Sequence, residues 1–157
     1  MEGLSAWQRV ARALVGPTIV VVVAGACTVP ARTVDDYEAD AVAAAADAIS
    51  HVGTSLVIAR AIEREGIPIT TASVVLSDAE QAAAGVRGTF AEIQPPDAQL
   101  DALRAEVLRL MDAAEQVVSD MRIAARRGDA RTIARLEGNA QDALDALDAF
   151  ATEHGPA

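Results

Sequence analysis

The sequence has no lysine, a single cysteine, two histidines and few aromatic side chains, which make up 3% of the 157 residues. Each shortage excludes something. One cysteine cannot close an internal disulfide and has no thiolate partner for a zinc site. So few aromatics disfavour sandwiches and barrels, which rely on aromatic and β-branched cross-strand pairs. With no lysine, a phosphate-binding loop lacks its cation; Gly85-Val86-Arg87-Gly88 also has no preceding strand and reads as mid-helix. No Cys-x-x-Cys-His and no Glu-x-x-His is present, so covalent haem and the di-iron carboxylate pattern have no signature here.

What the chain does contain is small apolar residues and acid. Hydrophobic residues reach 52%, much of it alanine and valine, a composition of helices that approach closely through short side chains. Net charge is -10, and all 13 basic residues are arginine. Without residues 1–26, 22 acids would face 11 arginines. Such a surface repels phosphate backbones, so no nucleic-acid partner is expected, and it disfavours electrostatic docking on anionic lipid.

The longest apolar run lies near the start. Arg9 and Arg12 precede it, Gly16-Pro17 interrupts it, and no charge falls between Arg12 and Arg32. From Ala13 to about Ala26 it is short for a membrane span, which needs about 20 residues, but suits a secretory leader. It ends in Val21-Val22-Val23-Ala24-Gly25-Ala26-Cys27. Small residues directly before a cysteine resemble the lipobox of bacterial lipoproteins, with Ala24 where leucine is commonest. The resemblance covers residues 1–27. It implies cleavage between Ala26 and Cys27, a diacylglyceryl group on the Cys27 thiol, and anchoring to the extracytoplasmic face of the cell membrane. An uncleaved signal anchor, an ordinary secretory cut after "AGA" and a buried structural cysteine are the alternatives. Residues 27–34, with Pro30, read as a tether.

Four amphipathic helices follow, at about 35–65, 70–93, 97–127 and 129–152, with a disordered tail at 154–157. In the first, Val42, Ala45, Ile49, Val52, Leu56 and Ala59 step by three and four. Gly66 reads as a left-handed cap and Pro68 as the break. In the second, Ile69, Ala72, Leu76, Ala79, Ala83, Val86, Phe90 and Ile93 form the stripe, although Ser77-x-x-Glu80 offers a later start. Pro95-Pro96 ends it. The third carries the cleanest heptads: Leu100, Leu103, Val107, Leu110, Ala114, Val117, Met121 and Ala124. Arg126-Arg127-Gly128-Asp129 closes it and opens the fourth, whose stripe is Ile133, Leu136, Ala140, Ala143 or Leu144, Leu147, and Phe150 or Ala151. Short loops between single-stripe helices predict an all-α, antiparallel up-down-up-down four-helix bundle.

Candidate chemistry is sparse. His51 lies between Ile49 and Val52, where it could ligate haem or a metal inside the bundle, with Met111 or Met121 as a partner by type; it could equally be a histidine at the stripe's edge. Asp142, Asp145 and Asp148 step by three and could hold a divalent cation weakly or simply be solvated. Ser50, Thr54 and Ser55 lack an orienting acid at a useful spacing. The expectation is therefore a non-enzymatic, lipid-anchored envelope protein with no cofactor, whose bundle engages an unknown envelope protein. It resembles, in general organisation, small alanine-rich helical lipoproteins of bacteria with GC-rich genomes. A ligand-, haem- or metal-binding bundle with a site near His51 is the alternative.

Overall fold

A computed structural model describes residues 33–64 and 66–155. Ala26, Cys27 and the tether up to residue 32 lie outside the described residues, as do the last two residues of the chain. Every regular element described is helical: α1 (Val34–Glu63), α2 (Ile69–Glu92), α3 (Asp101–Arg127) and α4 (Ala130–His154), with a 3-10 turn at Ala98–Leu100. Each helix packs on the next in sequence, α4 closes against α1, and α1 also reaches α3 across the bundle.

Local chemistry explains the helix ends. Thr33 opens α1 with a capping box: its hydroxyl accepts from the Asp36 amide at 3.1 Å, and its own amide donates to the Asp36 carboxylate at 3.3 Å. The α1–α2 link departs from expectation. Gly66 is not left-handed; its amide instead donates to the Ala61 carbonyl at 2.9 Å. α2 runs unbroken from Ile69, so Ser77 sits mid-helix and caps nothing. Asp97 accepts from the Gln99 amide at 2.8 Å and opens the 3-10 turn, so regular α-helix starts at Asp101 rather than 97. Gly128, at φ 64°, turns the chain from α3 into α4. Asp129 then accepts from both the amide and the hydroxyl of Thr132, at 3.1 and 2.8 Å, and these bonds hold its carboxyl below the usual range. At the far end His154 is not in a loose tail. It is the last residue of α4, its ring 4.6 Å from that of Phe150.

All eight stripe residues read from the α3 sequence are buried, joined by Met111, Val118 and Ala125. α1 differs. Val42 and Ile49 are only partly buried, and Tyr37, Ala41, Ala44, Ala48 and Ser55 take the interior instead. Ala41, Ala44, Ala45, Ala48 and Ala59 supply much of that interior, where a larger side chain would push helices apart. With apolar residues both inside and outside, α1 is long and apolar enough to cross a bilayer by length and composition alone, yet its alanine face lies in the bundle core.

Side-chain contacts tie particular parts of the helices together. Tyr37, in the first turns of α1, packs on Phe90 near the end of α2, with ring centroids 5.5 Å apart. Glu80 and Arg87 of α2 meet Arg122 and Asp112 of α3. Arg60, late in α1, reaches Glu137 in α4 at 3.4 Å.

Candidate functional site

His51 is half-buried on α1. Its carbonyl accepts from the fully buried Ser55 hydroxyl at 3.0 Å. Ser50 and Thr54 likewise donate to the carbonyls of Ala46 and Ser50, at 3.2 and 2.9 Å. All three hydroxyls are thus occupied along the helix's own backbone, the usual way helices satisfy such groups. Met111 and Met121 are core residues of α3. Among the described residues no three histidine, cysteine, aspartate or glutamate side chains come together as a metal site. Asp142, Asp145 and Asp148 are exposed, and Asp145 accepts from Gln141 at 2.9 Å.

A buried polar group absent from the sequence candidates lies early in α1. Tyr37 has no accessible surface, and its hydroxyl has no hydrogen-bond partner. Beside it Arg104 of α3 donates to the Ala91 carbonyl at the end of α2, leaving its Nε unpartnered. Burial pushes the Tyr37 phenol above its ordinary range; the Arg104 cation opposes that shift and Asp101 adds to it. This junction ties three helices together at one end of the bundle. A lone tyrosine early in an alanine-rich helix was the available signal.

Ion pairs link the helices elsewhere. Arg122 grips Glu80 with both arms of its guanidinium, and the bond from Arg122 is the main reason the Glu80 carboxyl titrates low. Arg87 pairs with Asp112 in a more exposed position. Glu137 offers one oxygen to Arg60, while its other oxygen is buried without a partner.

Two clefts have apolar floors. One, of about 410 Å³, runs between α3 and α4, with Leu110, Ala113, Val117, Ala143 and Ala146 below and Arg109, Asp120 and Asp142 among the residues at its rim. The other, about 290 Å³, lies between α1 and α2 over Ala44, Val86 and Phe90. Both are open grooves between helices. Short side chains beneath a charged rim suit the docking of another helix or an apolar side chain, the arrangement of helix-in-groove recognition. No family model, curated protein or solved structure matches the chain.

Proposed function

We propose that this protein is an extracytoplasmic lipoprotein of the cell envelope, acylated on Cys27 after cleavage behind Ala26, whose helical body is a non-enzymatic interaction module. The observation that carries the reading is the apolar run ending in Ala24-Gly25-Ala26-Cys27, placed only a few residues before the capping box that opens α1 at Val34. A cysteine with no disulfide or metal partner in the sequence has a use as a lipid attachment point, and two acyl chains provide the stable anchoring that one does not. The six residues between Cys27 and Val34 span at most about 20 Å when extended, so the bundle stays close to its anchor.

For the body, the pairings Tyr37 with Phe90, Glu80 with Arg122, Arg87 with Asp112 and Arg60 with Glu137 support an antiparallel up-down-up-down order. The open, apolar-floored grooves favour recognition of a protein over turnover of a small substrate.

The test is metabolic labelling with a radioactive fatty acid in cells expressing the full chain. Wild type takes up label and fractionates with membranes; Cys27→Ala takes up none and keeps its leader. Labelling that survives Cys27→Ala would overturn the assignment. Cross-linking in intact envelopes then identifies the protein partner.

A further inference from the structure

The outer face of α4 carries charge in an order that does not favour the isolated helix. Facing away from the core, Arg131, Arg135, Gly138, Asp142, Asp145 and Ala149 recur at spacings of four and three. The first two are basic and the later ones acidic. Arg131 and Arg135 repel one another at i,i+4, and Asp142, Asp145 and Asp148 do so at i,i+3. The order also runs against the helix dipole, which favours acids at the start and bases at the end. α1 and α3 obey that rule, with acids in their first turns and arginines in their last. α4 has no acid in its first helical turn, where Arg131 stands; its N-terminal negative charge is the capping Asp129 alone. Among the described residues none of these five charged side chains is in a direct ion pair: Arg135 donates to the Thr132 hydroxyl and feels the nearby Asp129 carboxylate, and Asp145 accepts from Gln141. Gly138 lies at the point where the sign changes. A methyl group there would meet no described atom within 4 Å, so no described residue requires glycine at that position.

Every one of these features is resolved by one partner: the same face, turned end for end. We infer that the outer face of α4 is a docking surface for a second copy of this chain, the two α4 helices crossing antiparallel between Gly138 and Asp142. A two-fold axis opposite Ala140 sets Arg135 against Asp145 of the other copy, brings Arg131 beside Asp148, and places Gly138 opposite Asp142. Each pair occurs twice, as an isologous interface demands. The acidic half of one helix then neutralises the basic half of the other, and each helix gains an opposite charge at the end where its dipole needs one. Gly138 lets the two backbones approach where they cross. The surface borders the α3–α4 cleft through Asp142, so the partner helix also covers one wall of it. A parallel pairing would set Arg135 against Arg135 and is disfavoured by the same charges. The inference does not depend on the lipid anchor.

The test is sedimentation of the full-length protein in detergent across a range of concentrations. Wild type shows a concentration-dependent dimer that weakens at high salt, because exposed pairs are screened. Arg135→Asp removes two attractive pairs per dimer and creates two repulsive ones, raising the dissociation constant about tenfold or more. The double change Arg135→Asp with Asp145→Arg restores the dimer, since the exchanged charges meet again across the axis. Circular dichroism of each variant checks that the helices are retained. A wild type that stays monomeric throughout, an Arg135→Asp variant that associates as wild type does, or a charge-swapped double variant that does not recover would each overturn the inference.

Discussion

α1 and α3 lie across the bundle from one another and solve the same problem differently. α3 follows an alternating pattern: large apolar residues inward, charges outward, with Arg104 and Arg122 reaching neighbouring helices. α1 has apolar residues on nearly every side: five alanines join Tyr37, Val52 and Leu56 inside, while Ala39, Ala43 and Ala46 stay exposed. In α3, hydrophobicity marks the core. In α1 it does not, because apolar residues of every size stand on both sides, and what separates inside from outside is which of them a neighbouring helix covers. Val57 is 64% exposed while Ala45 nearby is fully buried.

That contrast can be broken in order of expected effect. Val107→Asp places an unpaired carboxylate in the fully buried centre of α3 and should destabilise by about 4 kcal/mol or more, read as loss of the cooperative urea transition. Ala45→Leu tests the small-residue face of α1. Overpacking should cost about 1–3 kcal/mol, whereas Ala43→Leu on the exposed side should shift stability by less than about 0.5 kcal/mol. Equal effects at the two positions would show that α1 has no close-packed face.

Acid sharpens the comparison from the α3 side. Glu80 titrates below its ordinary value in the folded state because Arg122 bonds its charged form. Its contribution is therefore present above the unfolded value of about 4.3 and is lost as pH falls through the lowered folded one. Glu80→Gln should flatten the decline of melting temperature in that acidic window while leaving a smaller, pH-independent loss. The smallest effect is expected from Val57→Ser, within about 0.5 kcal/mol of wild type by thermal melting.

The helices and most of their joints were legible because their signals are local. Pro95-Pro96, Arg126-Arg127-Gly128-Asp129 and the α3 heptads act within a few residues of chain, and there the structure departs by only a few residues. Three features were not legible. The rotation of α1 depends on which alanines meet a neighbour, a property of the assembled bundle. Gly66 donates its amide to the Ala61 carbonyl without being left-handed itself, a bond that the residue types around it do not announce. The Tyr37–Arg104 junction joins residues 67 positions apart, and no periodicity within either helix encodes it. At the candidate sites, sequence spacing could nominate His51, but any partner for it would come from another helix, which spacing within α1 does not encode. Cys27 remains a reading of sequence alone.

The closure of α4 on α1 sets a condition on how the molecule is made. Arg60 and Glu137 are 77 residues apart, so the seat of the first helix is completed only by the fourth. Until α4 is in place α1 keeps only its packing on α2 and α3, and the entropy of closing that long loop must be met before α1 and α4 pair. A chain stopped after Gly128 would present to its surroundings an apolar helix long enough to enter a bilayer.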